Sequence, residues 1–368
     1  MSESQRDYTI LVINPGSTST KTAVFRNDRS VFELNIHHPT EELEQYPRMS
    51  DQYPPRMEAI LKALDDAGIG VDSLDAVVGR GGLIHPVQGG TYAVNELMLE
   101  DLRVGVLGEH ASNLGGIIAW EIARKRGIPS FIVDPVVVDE LDTPARYSGV
   151  PELPRQSIFH ALNQKAVARR AAASRGGRYE DYNFIIVHLG GGITVGAHRK
   201  GRVVDVNDGL NGEGPFTPER SGAIPALPLV KMCFSGDYTQ SEIRKKIKGH
   251  GGLVAYLGSN DGREIARRVD AGDDVAREVF HAMAYQVAKE VGAMAAVLEG
   301  AVHAILVTGG LAYNEQFCRW IEKRVAFIAP VERHPGEGEM IALAEGALRV
   351  LMGEDKPREY RGALEGQR

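Results

Sequence analysis

Two cysteines, Cys233 and Cys318, are all that 368 residues contain. A single pair builds neither a disulfide framework nor a zinc site of the CxxC type. The scarcity fits a reducing cytoplasm and leaves carboxylates to hold any metal. No apolar run reaches the roughly 20 residues that a membrane-spanning helix needs. The opening residues MSESQRDY lack the charged-then-apolar form of a signal peptide. Positive charge is not in excess: the formal net charge is −7. No global field therefore draws nucleic acid or an anionic membrane as a partner. The short basic run IRKKIKGH at 243–250 reads as a solvated helix face. What remains is an ordinary globular composition, 43% hydrophobic and 25% charged, at a length that favours two domains.

What is present is an alternation of strands and helices, which predicts α/β architecture. The opening reads as an apolar strand over Tyr8 to Ile13, a loop, a strand over Lys21 to Phe25, a turn at RNDR and a strand over Ser30 to Ile36. A helix over RMEAILKALDDAG ends at Gly68, LDAVVGRGG is a strand running into glycines, and HASNLGGIIAWEIARKRG is a helix that Ser112 or Asn113 caps. PSFIVDPVVVDEL is a buried strand with an acidic exit. After a helix over SIFHALNQKAVARRAAASRG, the order of the opening returns: YNFIIVHLGGGITVGAHRKGRVVDVND is strand, glycine loop, strand, turn, strand. That recurrence predicts two duplicated α/β domains facing one another, although residue identity between the copies is slight. The helix over DDVAREVFHAMAYQVAKEVGAMAAVLEG is apolar on most faces and is expected to lie buried between layers. HAILVTGGLAYN is a strand into a third glycine loop, and EMIALAEGALRVLMG closes the chain as a helix packing back on the first domain.

Three loops carry the chemistry. NPGSTSTK is not a Walker loop, because a β-branched strand rather than a helix follows Lys21. Its backbone amides around Gly16, the hydroxyls of Ser17 and Ser19 and the Lys21 ammonium suit an anion. A polar hairpin turn with a solvated lysine is the plainer alternative. In HLGGG, Gly190, Gly191 and Gly192 let a phosphate approach the backbone closely, and His188 ends the strand that leads there. VTGGLAYN, with Gly309, Gly310 and Asn314, is a strand-to-glycine turn suited to nucleotide. Arg80 in VVGRGG and Arg220 in FTPERSGAIP lie among glycines, where a guanidinium can clamp carboxylate or phosphoryl oxygens in a bidentate way. Asp134 ends an apolar strand, and Glu339 begins a helix, where a negative charge is favoured in any case. Both are candidates for Mg²⁺, which needs only one or two carboxylates beside phosphates and waters. His160, Asn163 and Gln164 fall on one polar helix face, either solvated or packed near the site.

Long strings in this chain resemble the acetate and butyrate kinase family, within the actin-like, sugar-kinase and Hsp70 ATPase superfamily: VINPGSTSTK, VVGRGG, GGTYAVNE, GEHASNLG, IVDPVVVDEL, SIFHALNQKAVARR, GEGPFTPERSG, GGLVAYLGSNDGRE and GAMAAVLEG. The resemblance covers nearly the whole chain and lies on the butyrate kinase side. Where acetate kinases read HGTSH, this chain has HALNQ, so Gln164 stands at the second histidine, a departure that favours a longer acyl substrate. The resemblance implies two actin-like (ribonuclease H-like) domains with an interdomain cleft, one formed by 1–152 plus 336–368 and one by 153–335. It implies ATP and Mg²⁺, a short-chain carboxylic acid as acceptor and a homodimer or higher homo-oligomer. It further implies Asn14, Ser17, Ser19 and Lys21 at the phosphoryl-transfer site, and Arg80 and Arg220 on the acyl carboxylate and the phosphoryl in flight. His160 and His188 are implied as donors to that group. Asp134, Asn14 and Glu339, or its neighbour Glu337, are implied at the metal. Asp261, Arg263, Gly309 and Gly310 are implied around the adenosine, and His110 resembles a family active-site histidine. Two readings of other classes compete: a nucleotide-binding regulator or structural protein of the same superfamily, and a sugar or polyol kinase, which needs a catalytic aspartate as general base, a role for which Asp134 can be mistaken.

Overall fold

The computed structural model describes residues 6–363. The chain divides into two compact units: residues up to Val138 together with those from Gly338 onward form one, and Asp139–Glu337 the other. Among the described residues, twelve strands run in chain order through the two units. They are β1 (Thr9–Pro15), β2 (Ser19–Arg26), β3 (Arg29–His37), β4 (Ala76–Arg80), β5 (Thr91–Ala93) and β6 (Ser130–Val133), then β7 (Asn183–Leu189), β8 (Ile193–Arg199), β9 (Arg202–Val206), β10 (Ala304–Gly309) and β11 (Val331–Pro335), and finally β12 (Arg358–Glu359).

The first unit holds a sheet of order β12-β5-β6-β4-β1-β2-β3, and the second a sheet of order β11-β10-β7-β8-β9. In each, an antiparallel three-strand meander is extended on the side of its first strand by two parallel strands. These are β4 then β6 beside β1, and β10 then β11 beside β7. The duplication expected from the recurring strand–loop–strand order is thus present over five strands, with β5 and β12 added in the first unit alone. The inner strands β1, β4, β7 and β10 are continuous apolar runs because both faces are covered.

Helix packing positions the strand ends. The helix Asn113–Arg124 lies so close to β4 that a Cβ on Gly79 would come within 2.0 Å of the Gly115 carbonyl oxygen, and one on Gly115 within 2.3 Å of that of Arg80. Backbone meets backbone there, which fixes where Arg80 leaves the strand. Neither expected cap of this helix forms. The Ser112 hydroxyl pairs with His110 Nδ1 at 2.8 Å instead, and Asn113 Oδ1 accepts the Leu83 amide at 2.9 Å. The helix Glu339–Leu351 returns to the first unit, where Gly346 sits against Val133 and its carbonyl accepts the Thr91 hydroxyl at 3.0 Å.

In the second unit the helix Asp274–Val297 packs through one face. Phe280, Met283, Ala284, Val287 and Val291 are buried in the core, while Arg277, Glu278, Tyr285 and Lys289 are exposed. It is amphipathic rather than enclosed on most sides. The first division between the units falls at 138/139 rather than at 152/153, because polar bonds tie this segment to the second unit. Arg146 grips Asp139 through both nitrogens at 2.7 and 2.8 Å, Glu140 pairs with the buried Lys165, and Asp142 pairs with Arg199.

Candidate active site

In the first unit the turn after β1 is organised by a residue that motif reading passes over. Arg56 is fully buried. Its Nη1 donates to the carbonyl oxygens of Gly16 (2.8 Å) and Ser19 (3.1 Å), and its Nη2 to that of Ser17 (2.7 Å) and to Gln52 Oε1 (3.0 Å). The Thr18 carbonyl accepts the His38 amide at 2.9 Å. Four successive or near-successive carbonyls therefore face protein donors. Among the described residues, the Ser17 and Thr18 amides have no protein acceptor, which leaves the N–H side of the turn for an anion. Ser17 and Lys21 are exposed, and Lys21 pairs with Asn14 across the β1–β2 ladder, so their side chains share one sheet face. The sequence signal for Arg56 was its place: with Ile60 and Leu64 it falls at i, i+4 and i+8 on the buried stripe of the helix Tyr53–Asp66.

Beneath the turn, His38 Nε2 lies 2.9 Å from Thr20 Oγ1. Burial first, then the Arg56 and His37 charges, push the His38 pKa down to about 4. The folded state therefore binds fewer protons than the unfolded chain between that value and the ordinary 6.5. The stabilisation is complete above pH 6.5 and is lost as pH falls through about 4. In thermal melts across this window, His38→Gln is expected to show a shallower acid dependence than the unmodified protein. Parallel curves would remove His38 as a source of acid lability.

Arg80, Asn14 and Glu339 form a closed triangle. Arg80 Nη1 donates to Glu339 Oε2 at 3.0 Å and to Asn14 Oδ1 at 3.3 Å, and Asn14 Nδ2 donates to the same Glu339 oxygen at 2.7 Å. Asp134 follows β6 in the left-handed region with φ +37°, a conformation that costs a non-glycine residue about 1–2 kcal/mol. Its Oδ1 accepts the Gly90 amide at 2.7 Å. His110 is exposed, with Nδ1 turned to Ser112. Among the described residues no group of three His, Cys, Asp or Glu forms a ready metal cage. A hydrated Mg²⁺ that arrives with phosphates still fits, because it needs few protein ligands.

In the second unit the expected polar face is buried: Asn163 and Gln164 are enclosed. His160 precedes the helix Ala161–Ala173 and stacks on His188 with ring centroids 3.8 Å apart and planes 10° from parallel. Arg220 reaches the same place. A Cβ on Gly192 would lie 2.1 Å from Arg220 Nη1 and 3.2 Å from His160 Cε1, so a side chain at this position would displace the Arg220 guanidinium. Arg220 is mostly buried; Nη1 donates to the Gly209 carbonyl at 2.5 Å, Nε is buried without an acceptor, and the nearest carboxylate, Glu219, is 4.0 Å away. Burial lowers its pKa, yet a guanidinium stays charged. A buried cation so poorly matched is suited to an incoming anion. Thr217, another residue missed in the sequence, holds the glycine loop by donating from Oγ1 to the Gly191 carbonyl at 2.7 Å.

A cleft of about 590 Å³ lies next to this loop, lined among others by Gly190, Gly191, Asp261, Arg263, Gly310 and Asn314. The structure thus gathers residues from three separate sequence motifs. Two of them also cap helices. Asp261 Oδ1 accepts the Arg263 amide and Asn314 Oδ1 the Phe317 amide, each at 2.8 Å. Gly309 does not line the cleft; its φ of +90° and a would-be Cβ contact of 2.3 Å with the Leu189 carbonyl oxygen give it a backbone role.

Comparison with known proteins gives the family and the fold. Residues 151–328 match the model of the acetokinase family. Butyrate kinase 1 of Clostridium acetobutylicum is 56% identical over 354 residues, which span 96% of this chain and all of that protein. Among solved structures, the acetate kinase of Porphyromonas gingivalis superposes with a TM-score of 0.76 at 20% identity, covering 92% of this chain and 99% of that one. A propionate kinase from Francisella tularensis gives 0.72 at 18%, covering 92% and 98%. At such identities the two structures speak for the fold.

Proposed function

The chain belongs to the acetokinase family, and from that premise we propose that it phosphorylates a short-chain fatty acid, butanoate or a branched relative, using ATP. The bond between the γ-phosphorus and the β–γ bridging oxygen breaks, a bond from that phosphorus to a carboxylate oxygen forms, and ADP leaves; the reverse reaction follows the same path. The observation that carries this reading is the near-full-length identity to a butyrate kinase. The side chains support it. A carboxylate is ionised at neutral pH, so the reaction needs positioning and charge neutralisation rather than a strong base. Arg80, Arg220, His160 and Lys21 are of that kind. Asp134, the residue a sugar kinase would use as base, holds a backbone amide with Oδ1 instead.

In this reading the amide side of the Gly16–Ser19 turn, Lys21 and the Gly190–Gly192 loop receive phosphates. The cleft beside Asp261 and Asn314 receives the adenosine. Arg80 and Arg220 hold carboxylate and phosphoryl oxygens. Bound Mg²⁺ would neutralise phosphate oxygens, held by Glu339, whose Oε1 carries no hydrogen bond among the described residues, together with Asp134 and Asn14. The setting proposed is the cytoplasm, where ATP is at hand and two unpaired cysteines are stable. The test is a hydroxamate trap for acyl phosphate with ATP and a panel from acetate through branched five-carbon acids, with a hexose as control. Catalytic efficiency is expected to peak at four or five carbons, with steps of about 1–3 kcal/mol per methylene. Phosphorylation of the sugar with no trapped acyl phosphate would overturn the reading.

The helix Ala226–Cys233 has no buried residue; its Leu227 is 82% exposed and Phe234, which follows it, 87%. Apolar side chains so placed mark an interaction surface, and we propose a second copy of the chain as its partner. Light scattering coupled to size exclusion is expected to give a homodimer or larger, reduced to a monomer by Leu227→Glu with Phe234→Glu. An unmodified protein that runs as a monomer would refute this.

A further inference from the structure

We infer that Thr194, Gln164, His198 and Tyr179 act as positioning residues that hold His160 in a single tautomer, with its proton on Nε2. The argument needs only hydrogen-bond polarity. Gln164 Nε2 lies 3.1 Å from the Thr194 carbonyl oxygen, which can only accept. That fixes the amide orientation and leaves Gln164 Oε1 as the atom 2.8 Å from His198 Nε2. An amide oxygen can only accept, so His198 carries a proton on Nε2. Its Nδ1 then takes the hydroxyl proton of Tyr179 at 2.6 Å. Burial, with the Lys165 and Arg169 charges nearby, keeps His198 neutral.

The same Gln164 nitrogen donates to Thr194 Oγ1 at 2.8 Å. Thr194 is fully buried, and the other neighbour of its Oγ1 is His160 Nδ1 at 2.9 Å. Among the described residues the hydroxyl proton has one acceptor in reach, and a buried hydroxyl without an acceptor costs about 1–3 kcal/mol. Thr194 therefore donates to His160 Nδ1, and the neutral ring bears its proton on Nε2. The Cε1 edge of this ring faces the Gly192 backbone beside Arg220.

His188 is held the opposite way. Asn163 Nδ2 donates to the Glu337 carbonyl at 2.5 Å, so Asn163 Oδ1, 2.8 Å from His188 Nδ1, accepts from the ring. The neutral His188 thus has its proton on Nδ1. Two stacked imidazoles are fixed in opposite tautomers. Under the function proposed above, His160 donates to the transferring phosphoryl group as a neutral ring, while His188 offers a donor at Nε2 only when protonated.

The test uses the full chain with ¹⁵N-labelled histidine, read by long-range ¹H–¹⁵N spectra without substrate, with the His160 signals assigned by their loss in His160→Asn. The expected result is a pyridine-like Nδ1 and a protonated Nε2 on His160, with the reverse pattern on His188. Thr194→Val is expected to mix the His160 tautomers and lower kcat about tenfold or more, the penalty of a wrongly held imidazole, with the KM for ATP unchanged. Thr194→Ser is expected to restore both. A proton on His160 Nδ1 in the unmodified protein would overturn the inference, and that spectrum decides the matter even if the valine variant fails to fold. A single tautomer and an unaltered kcat in a folded Thr194→Val protein would overturn it equally. The tautomer is read without turnover, so it stands or falls separately from the reaction assigned to the site.

Discussion

Arg220→Ala is expected to lower kcat for acyl phosphate formation by about 10²- to 10³-fold, the scale for removing one donor from a developing charge. It should leave the melting temperature unchanged or raise it. Both halves follow from the same geometry. Arg220 is a buried cation with one backbone acceptor, an Nε without a partner and a carboxylate no nearer than 4.0 Å. Such a group is costly in the resting protein and worth most when an anion arrives. Arg220→Lys is expected to recover little, because an ammonium cannot reproduce two parallel N–H bonds. Steady-state kinetics beside a thermal melt check the pair of effects. Near-normal turnover in Arg220→Ala would remove this residue from the chemistry.

The second large effect is expected at Arg56. Arg56→Met keeps the aliphatic stem but leaves the carbonyls of Gly16 and Ser17 without their donor, while that of Ser19 keeps only the Gly16 amide. Each buried acceptor left unpaired costs about 1–3 kcal/mol, so for two of them a loss of roughly 2 kcal/mol or more is expected in urea unfolding. The turn is also free to rotate its amides away from the anion, so the KM for ATP should rise along with the loss of stability. Arg56→Lys, with one nitrogen in place of a fork, should recover only part of either. A destabilised protein with an unchanged KM for ATP would separate Arg56 from the binding turn.

The meanders were legible because continuous apolar runs bounded by glycine have few other ways to fold. β1–β3 and β7–β9 fall where those runs place them. Of the short helices, Gln240–Ile247 showed only as the solvated basic face at 243–250 and Gly262–Asp270 did not show, since each buries a single residue, Ile243 or Ile265, and so leaves little hydrophobic period. The strand β11 has a polar sequence and pairs only with β10, so neither composition nor alternation marked it. Within the candidate site, loops rich in glycine gave the positions of His188, Gly190 and Gly310. The stacking of His160 on His188 depends on how a helix start meets a strand end, which no local pattern encodes. Arg56 was hidden for the opposite reason: charged side chains are seldom fully buried, so an arginine on an apolar stripe was passed over.

The first unit is discontinuous in the chain, and that orders its completion in time. The segment Asp139–Glu337 leaves the ribosome before Gly338. The stacked histidines, Arg220 and the cleft beside Asp261 can therefore be in place while Arg80 and Asn14 still await Glu339. Tyr360, buried with its hydroxyl on Asp101, and the two-residue strand β12 arrive later still. A nascent chain would thus present a finished second unit while its first unit still lacked a helix and an edge strand, so the Arg80 triangle cannot close until the whole of the second unit and Glu339 have been made.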